Sequence, residues 1–329
     1  MHWKITNSKI LVTGGAGFIG SNLCEELLKQ NNDVVCLDNF ITGKRENVDG
    51  FLSNPKFTLI EGDIRDLETC KKACEGRTIV LHQAALGSVP RSIENPFTTH
   101  EINTTGFLNM IMSAKEADVK RFVYAASSST YGDSTNLPKV EDVIGKPLSP
   151  YAITKYVNEL YASVCADIYG METVGLRYFN VFGRRQDPNG MYAAVIPKFI
   201  ERFLEYESPV VNGGGDYSRD FTYIDNVIQA NQRAATTTNS EAINTVYNVA
   251  YGAKTTIKEL AESLRSGLAK HDPRIGDVEI KFGPIRNGDI PHSLASIDKA
   301  KSLLGYSPEF DIVEGLKLSI DWYWRNFRR

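Results

Sequence analysis

Residues 10–20 read Ile10-Leu11-Val12-Thr13-Gly14-Gly15-Ala16-Gly17-Phe18-Ile19-Gly20, in which a short apolar run leads into glycines at positions 14, 17 and 20. Glycine lets a backbone turn tightly and approach a pyrophosphate group. The unpaired amides and the dipole of a helix that starts at this turn stabilise the negative charge. The stretch therefore predicts a strand, a tight turn and a helix that together bind a dinucleotide.

Outward from this turn, short β-rich runs alternate with segments that carry apolar residues at helical spacing. The predicted strands are 9–13, 33–37, 57–61, 78–82, 121–126 and 172–176, and the predicted helices are 18–29, 66–74, 97–117 and 151–169. Such alternation is typical of a parallel sheet with helices on both faces. We predict an α/β fold with a doubly wound parallel sheet of the Rossmann type.

Beyond residue 182 the composition changes to loops rich in Gly, Pro and Asn between shorter helices. This change predicts a dinucleotide-binding domain over residues 1–182. A smaller, mixed α/β substrate domain is expected over residues 183–329. In such folds the chain can cross back into the first domain, so the boundary is a soft one.

The composition argues against several functional classes. A chain of 329 residues with 23% charged residues and a formal charge of −3 is typical of an ordinary globular enzyme, so we expect no nucleic-acid partner. Residues 1–9 lack a signal-peptide pattern, and no apolar run approaches the roughly 18 residues of a membrane span. We expect a cytoplasmic protein without a membrane partner. The five cysteines form no C-x-x-C pair, so neither disulfides nor a metal site is expected.

Acidic residues follow the second and third predicted strands. Asp38 can accept hydrogen bonds from ribose hydroxyls and would repel a 2′-phosphate, which favours NAD over NADP. Lys44 and Arg45 lie close behind and would soften this preference. Asp63 has two interpretations that the sequence leaves open, because it can reach an adenine amino group or form a turn or helix cap before Asp66.

Tyr151 and Lys155 lie four residues apart at the start of a predicted helix that Pro150 introduces, so both project from one face. A phenol with an ordinary pKa near 10 is a poor base at neutral pH, but an adjacent ammonium favours its ionised form. The hydroxyl cluster Ser127-Ser128-Ser129-Thr130 follows the fifth strand, at the edge of the sheet where a ligand is expected. These groups predict a site for proton transfer.

These features, in this order and spacing, resemble the extended short-chain dehydrogenase/reductase superfamily over essentially the whole chain. Further stretches narrow the resemblance to the UDP-sugar 4-epimerases: Ala84-Ala85, Asn103-Thr104-Thr105-Gly106, Tyr131-Gly132, Arg177-Tyr178-Phe179-Asn180, Arg219-Asp220-Phe221 and Arg286-Asn287-Gly288-Asp289. Two more resemble the bacterial UDP-N-acetylglucosamine 4-epimerases: Gly87-Ser88-Val89-Pro90-Arg91-Ser92 and Gly183-Arg184-Arg185-Gln186-Asp187-Pro188.

The resemblance implies an epimerase that oxidises C4 of a UDP-sugar with NAD, lets the 4-keto sugar turn about its diphosphate, and returns the hydride to the opposite face. It implies that Tyr151 is the base, Lys155 its electrostatic partner and ribose ligand, and Ser127 the hydroxyl that binds the reacting oxygen. Cofactor contacts are implied for Gly14, Gly17, Phe18, Ile19, Asp38, Asn39, Asp63, Ile64, Asn103, Lys155 and Tyr178. Substrate contacts are implied for Ser88, Ser128, Ser129, Asn180, Arg219, Arg286, Asp289 and Ser293.

Two further expectations follow from the resemblance. Ser293 aligns with a position where epimerases restricted to non-acetylated sugars carry a bulky Tyr, so its small side chain leaves room for an acetamido group. UDP-N-acetylglucosamine and UDP-N-acetylgalactosamine are the expected substrates. The family also suggests a homodimer, formed by the helices predicted at 97–117 and 151–169.

Three other functions compete with the UDP-sugar 4-epimerase. A nucleotide-sugar 4,6-dehydratase is disfavoured, because those enzymes carry an Asp-Glu pair where this chain has Ser128 and Ser129. A uronate 4-epimerase or decarboxylase stays open, since Arg91, Arg184 or Arg185 can pair with a sugar carboxylate. A non-catalytic NAD-binding regulator is the third, and the joint presence of the predicted Ser, Tyr and Lys argues against it.

Overall fold

The computed structural model describes residues 3–188, 194–285 and 290–327. Its strands are β1 (Lys9–Thr13), β2 (Asp33–Asp38), β3 (Phe57–Glu61), β4 (Ile79–His82), β5 (Arg121–Ser127), β6 (Thr173–Tyr178), β7 (Val181–Phe182), β8 (Val210–Asn212), β9 (Ser218–Arg219), β10 (Thr222–Tyr223), β11 (Thr245–Val249), β12 (Thr255–Thr256) and β13 (Lys281–Gly283). Its α-helices are α1 (Phe18–Lys29), α2 (Leu67–Cys74), α3 (Val89–Glu94), α4 (Pro96–His100), α5 (Gly106–Glu116), α6 (Pro150–Tyr169), α7 (Val195–Leu204), α8 (Ile224–Thr236), α9 (Ile257–Ala269) and α10 (Ile312–Phe327).

The main sheet has seven strands in the order β11-β6-β5-β4-β1-β2-β3, and every neighbouring pair is parallel. The chain therefore winds in opposite directions from β1, first towards β3 and then through β4 towards β11. The carboxyl ends of β1 and β4 leave a crevice at this switch point, where open α/β sheets bind their ligands. The prediction of a doubly wound parallel α/β fold is confirmed.

The core lies on both faces of this sheet, because successive strand residues point to opposite sides. On β1, Ile10 and Val12 belong to the apolar cluster on one face, whereas Leu11 belongs to the cluster on the other. All three side chains are fully buried. Strands buried on both faces carry continuous apolar runs, which explains why the sequence displayed them so clearly.

His82 is a core residue rather than a surface histidine. Its ring stacks on Phe122 and meets Phe107 edge to face, with ring centroids 5.8 and 5.4 Å away. Its Nδ1 forms a 2.9 Å hydrogen bond with Thr13 Oγ1. Burial lowers the pKa of His82 to about 3, so the ring is neutral and ties the end of β4 to the end of β1.

The segment predicted as one helix at 97–117 is interrupted, and an additional helix precedes it. Helix α3 begins after Ser88, whose Oγ accepts a hydrogen bond from Arg91 N, and α4 begins after Asn95. A π-helical turn at Glu101–Thr105 then separates α4 from α5. Local capping residues and one inserted turn, which periodicity does not reveal, account for the difference.

The division of the chain at residue 182 stays a prediction. Beyond this residue lie two short two-stranded pairings, β12·β9 and β13·β8, together with α7, α9 and α10, while β10 pairs back with β7, which ends at Phe182. The chain also returns to the main sheet there, because β11 pairs with β6 from Thr245↔Val174 to Val249↔Tyr178.

The five cysteines are buried and unpaired. Across residues 3–188, 194–285 and 290–327, no helix combines the length and the apolar character needed to cross a bilayer. The same described stretches hold no group of three or more His, Cys, Asp or Glu side chains arranged to bind a metal ion.

Candidate active site

A cavity of about 370 Å³ opens at the switch point. Eleven of its lining residues are among the catalytic and cofactor-binding residues predicted from the sequence: Gly14, Gly17, Phe18, Ile19, Asp38, Asn39, Ile64, Ser127, Tyr151, Lys155 and Tyr178. Sequence reasoning missed other lining residues, among them Ile41, Thr42, Gln83, Leu86 and Ala125. Several of these follow the carboxyl ends of β2 and β4, so strand position was the signal that would have found them.

The glycine-rich turn depends on close backbone contacts. Gly14 has φ +65°, and a Cβ placed there would lie 2.8 Å from both Cα and N of Ala84. A Cβ on Gly20 would lie 2.1 Å from Gly14 O. Helix α1 then begins after Gly17, with no side-chain cap on its first amides. The helix start is therefore able to bind an anion, as the sequence predicts.

Asp38 ends β2 and is only 7% exposed. Its Oδ2 accepts a 2.9 Å hydrogen bond from Ala16 N and its Oδ1 accepts one of 2.8 Å from Phe40 N. Burial raises the pKa of Asp38 above its usual value, and these backbone donors oppose the rise. The same contacts hold the carboxylate in a fixed position against the turn.

The two cations near Asp38 are engaged with other acids. Lys44 Nζ lies 3.0 Å from Asp187 Oδ1, and Arg45 forms an ion pair with Glu61. The guanidinium carbon of Arg45 also lies 4.3 Å from the ring centre of Phe40. These pairings reduce the attraction that Lys44 and Arg45 would exert on a 2′-phosphate.

The Asp63 carboxylate closes a turn with the backbone of Arg65, and Asp63 does not line the cavity. Its Oδ1 accepts hydrogen bonds from Arg65 N at 2.8 Å and Arg65 Nε at 3.0 Å, while its Oδ2 accepts from Arg65 Nη2 and Asn39 Nδ2, each at 2.8 Å. The hydrogen bond from the Arg65 side chain is the main cause that lowers the pKa of Asp63 to about 2. Asp66 provides the cap of α2. The adenine contact of Asp63 stays a prediction.

Helix α6 brings Tyr151 and Lys155 to the cavity. Its start is fixed by Ser149, whose Oγ accepts a 3.1 Å hydrogen bond from Ala152 N. Lys155 is 2% exposed and its Nζ donates a 2.8 Å hydrogen bond to Ala125 O. Burial lowers the pKa of Lys155 to about 8, against an opposing effect of Glu159.

The Tyr151 side chain lies near Ser127, which ends β5. Burial raises the pKa of Tyr151, and the nearby Ser127 hydroxyl opposes that rise. Ser127 Oγ accepts hydrogen bonds from Ser129 Oγ at 2.9 Å and Ser129 N at 3.2 Å. The predicted Ser, Tyr and Lys all line this cavity, whereas Ser128 and Ser129, in the turn after β5, do not.

Tyr178 and Asn103 are each held by several hydrogen bonds. The Tyr178 hydroxyl donates to Gln83 Oε1 at 3.1 Å and accepts from Asn231 Nδ2 at 2.9 Å. Asn103 accepts from Leu86 N at 2.7 Å and donates to Leu86 O at 3.2 Å. Asn103 therefore shapes the cavity wall through the loop after β4 and does not itself line the cavity.

Among the residues that the structure describes, those predicted to bind the substrate do not line this cavity. Arg219 Nη1 donates to Ser218 O at 2.9 Å, and Ser293 N donates to the same oxygen at 3.0 Å. Asn180 adopts φ +36° and its Nδ2 donates to Asp220 O at 3.0 Å. Ser88 caps α3 through its Oγ. The predicted contacts Arg286 and Asp289 lie outside the described residues.

Two of the three arginines considered for a sugar carboxylate are paired within the protein. Arg184 Nη1 lies 2.7 Å from Asp225 Oδ1, and Arg185 Nη1 lies 2.8 Å from Glu25 Oε2. Both pairs join the loop after β7 to helices α1 and α8. Neither arginine lines the cavity, so they act as structural links.

Comparison with known proteins gives consistent matches over nearly the full length. Residues 10–250 match the model of the NAD dependent epimerase/dehydratase family. A putative UDP-glucose 4-epimerase of Methanocaldococcus jannaschii is 38% identical over 321 residues, which cover 97% of this chain and 99% of the relative.

Two solved structures are also similar. The UDP-N-acetylglucosamine 4-epimerase of Methanobrevibacter ruminantium, in complex with UDP-N-acetylmuramic acid, is 37% identical with a TM-score of 0.89, covering 98% of this chain and 99% of that one. The UDP-glucuronic acid 4-epimerase of Bacillus cereus, in complex with UDP-glucuronic acid and NAD, is 30% identical with a TM-score of 0.86, covering 96% and 99%.

The described cavity fits NAD at both of its ends. At one end, the uncapped start of α1 and the space that a Cβ on Gly14 would fill suit a pyrophosphate, and Asp38 suits the hydroxyls of an adjacent ribose. At the other end, Lys155, Tyr178 and Tyr151 line the wall where the nicotinamide would lie. We propose the same cofactor role for Gly17, Phe18, Ile19, Asn39 and Ile64, which line the first end.

Replacing Asp38 with Ala is expected to weaken NAD binding by about tenfold or more, because a charged acceptor of ribose hydroxyls is lost. Discrimination against NADP should fall as well, since the repulsion of a 2′-phosphate disappears with the carboxylate. Calorimetric titration of the cofactor-free protein with both dinucleotides measures the two effects. Asp33→Ala, at the opposite end of β2, is the control and should change neither. Unchanged cofactor preference in Asp38→Ala would assign the ribose contact to another residue.

Proposed function

The chain belongs to the NAD-dependent epimerase/dehydratase family and is an NAD-dependent UDP-sugar 4-epimerase, and we propose that its substrates are UDP-N-acetylglucosamine and UDP-N-acetylgalactosamine. The observation that carries the activity is that Ser127, Tyr151 and Lys155 all line the dinucleotide cavity. The similarity to a UDP-N-acetylglucosamine 4-epimerase and the small side chain of Ser293 support the choice of sugar.

The chain's own residues provide for binding and proton transfer. Tyr151 takes the proton of the sugar 4-hydroxyl as C4 is oxidised and returns it when C4 is reduced. Lys155 stabilises the phenolate form of Tyr151 by its charge, and Ser127 orients the reacting hydroxyl by a hydrogen bond. Bound NAD supplies the hydride acceptor and, in the return direction, the hydride donor. Burial of the Lys155 ammonium strengthens its effect because the local dielectric is low.

The two ends of the substrate need different kinds of binding. The nucleotide end of the substrate must stay bound to the protein throughout the cycle. We propose that this end, the UDP group, is bound by Asn180, Arg219, Arg286 and Asp289. The sugar end must allow the 4-keto intermediate to present either face, which suits small hydroxyl side chains such as Ser88, Ser128 and Ser129. The shared contact of Arg219 and Ser293 with Ser218 supports a sugar site next to the nucleotide site.

A uronate 4-epimerase is the second candidate, because the chain is also similar to a UDP-glucuronic acid 4-epimerase. A uronate carboxylate needs a cationic partner. Arg184 and Arg185 are engaged with Asp225 and Glu25, which disfavours them for this role. Arg91, on α3, is the third arginine considered for this role.

We also propose a homodimer. The outer face of α6 presents an apolar stripe, formed by Ile153, Leu160, Val164 and Ile168, each about half exposed or more. This spacing follows one face of the helix, while the opposite face packs on the sheet. On α4, Phe97 is 82% exposed. An apolar helical face of this extent is typical of a protein interface, and pairing with a second copy would bury it.

Turnover of a panel of UDP-sugars without added NAD tests the proposed reaction. The wild-type protein is expected to interconvert the two N-acetylhexosamine substrates. Tyr151→Phe should retain cofactor and UDP binding but lose turnover by about 10²-fold or more, because the proton acceptor is gone. Nucleotide-sugar chromatography measures turnover, and UDP calorimetry checks binding. Tyr161→Phe, two to three turns further along α6, is the control. Normal turnover by Tyr151→Phe would rule out the assigned base.

The choice of sugar is tested at Ser293. Ser293→Tyr is expected to abolish activity on the acetylated pair and to spare UDP-glucose and UDP-galactose, since a pocket discriminates most strongly against groups that do not fit. Ser293→Ala keeps the space and should retain activity on the acetylated pair. Rates on both substrate pairs decide the outcome. Equal loss on both pairs in Ser293→Tyr would indicate general damage, and no loss on the acetylated pair would exclude Ser293 from the sugar pocket.

The homodimer is tested by introducing a charge into the apolar stripe. Ile168→Glu is expected to shift the protein from dimer to monomer, because burying an unpaired carboxylate in an interface is unfavourable. Val313→Glu places the same charge on α10, at a side chain that is 69% exposed, and should leave the dimer intact. Light scattering coupled to size-exclusion chromatography measures the mass. A monomeric wild-type protein would refute the proposed interface.

A further inference from the structure

An ion pair is buried between helix α6 and strand β6. Arg177 on β6 donates to both carboxylate oxygens of Glu159 on α6, with Nη2–Oε2 at 2.7 Å and Nε–Oε1 at 2.9 Å. The two side chains are only 3% and 7% exposed. Buried ion pairs generally stabilise a fold no better than apolar side chains of similar size. Stability alone therefore does not explain why charged residues occupy this position.

The pair lies against the same strands as the catalytic lysine. Glu159 follows Lys155 by four residues, so the two side chains share one face of α6, and both are buried. Arg177 pairs with Ala126 in the β5–β6 register, next to Ala125, whose carbonyl accepts the Lys155 hydrogen bond. Glu159 therefore lies one helical turn along α6 from Lys155, in a region of low dielectric.

The other titratable groups around Lys155 do not provide a negative charge. On β4, His82 is neutral, because burial holds its pKa near 3. On β5, burial raises the pKa of Tyr124 well above its usual value, so this phenol is also neutral. On β6, Arg177 is a cation and would oppose the Lys155 charge. On α6, Glu159 opposes the fall in the pKa of Lys155 to about 8 that burial causes.

We propose that Glu159 is a positioning residue of the 4-epimerase site: held by Arg177, its carboxylate keeps the Lys155 ammonium charged, so that Lys155 can stabilise the phenolate of Tyr151. The assignment rests on the proposed roles of Tyr151 and Lys155. It also explains the buried pair, since a catalytic cation that has lost most of its water needs an anion nearby.

Further contacts fix the carboxylate in place. Arg177 Nη1 donates a 2.8 Å hydrogen bond to Glu141 O, and its guanidinium carbon lies 4.9 Å from the ring centre of Tyr131. Tyr131 Oη in turn donates to Asn248 Oδ1 at 2.6 Å. The guanidinium is held on three sides, and its planar fork fixes both oxygens of Glu159. The carboxylate cannot turn away from Lys155 without breaking these contacts.

The test is the titration of Lys155 in the full-length protein with its cofactor bound. Lysine side chains labelled with ¹³C at Cε are followed by NMR against pH, and the Lys155 signal is assigned by its loss in Lys155→Met. In Glu159→Gln the midpoint is expected to move to lower pH by about one unit or more, because the ammonium loses its anionic partner. The alkaline limb of the kcat–pH profile should move in the same direction, since the Tyr151–Lys155 pair titrates as a unit.

A second variant keeps the test valid if the single variant folds poorly. Glu159→Gln with Arg177→Met removes both charges, so no unpaired cation stays buried. If the carboxylate acts on Lys155, the double variant still titrates at lower pH than the wild type, though by less than Glu159→Gln. If it only neutralises Arg177, the double variant restores the wild-type midpoint, and the proposal is wrong.

The control is Glu172→Gln, which breaks the Arg121–Glu172 pair between the first residue of β5 and the chain just before β6, at the other end of these strands. This variant should leave both the Lys155 midpoint and the pH profile unchanged. A fall in kcat without a shift of either in Glu159→Gln would indicate a purely structural role and overturn the proposal. The NMR titration needs no sugar substrate, so its result is independent of whether the proposed sugar is correct.

Discussion

At Gly14 the backbone of the first turn approaches the loop after β4 more closely than any side chain would allow. A Cβ at this position would lie 2.8 Å from Ala84 Cα, and the positive φ excludes most other residues on its own account. This approach holds the turn after β1 against the loop after β4 at the switch point of the sheet. The uncapped start of α1, the Asp38 carboxylate and the β4 loop that Asn103 holds all take their positions from it.

Burial of charge is the second constraint on the site. Lys155 is almost wholly enclosed, which lowers its pKa to about 8. In the proposed mechanism this burial strengthens the effect of Lys155 on Tyr151. Asp220 is likewise enclosed, and burial raises its pKa to about 6 although backbone N–H groups of Ala295, Gly252 and Tyr251 bind it. Lys155 lines the cavity at the switch point, and Asp220 joins the loop at Tyr251 and Gly252 to the chain at Ala295. Each is stabilised by partners from elements distant in sequence.

The strands and the first helix could be predicted well because each is specified by its own residues. Strand β1 and helix α1 have the predicted bounds, since an apolar run buried on both faces and a glycine turn are local signals. The helix predicted at 97–117 is present from Pro96 to Glu116 but contains a π turn that places Asn103 against Leu86, and a short helix capped by Ser88 precedes it that was not predicted. Caps and inserted turns depend on single contacts that periodicity does not record.

The sequence by itself determined the doubly wound sheet and the dinucleotide turn, because each has a pattern of a few residues with a physical cause. It also singled out Ser127, Tyr151 and Lys155 as the predicted catalytic group. Only the tertiary structure decided which charged side chains pair with one another. It pairs Lys44 with Asp187, Arg184 with Asp225 and Arg177 with Glu159. Such pairings join residues 18 to 143 positions apart. Electrostatic effects depend on distance and burial in space, which linear spacing does not contain.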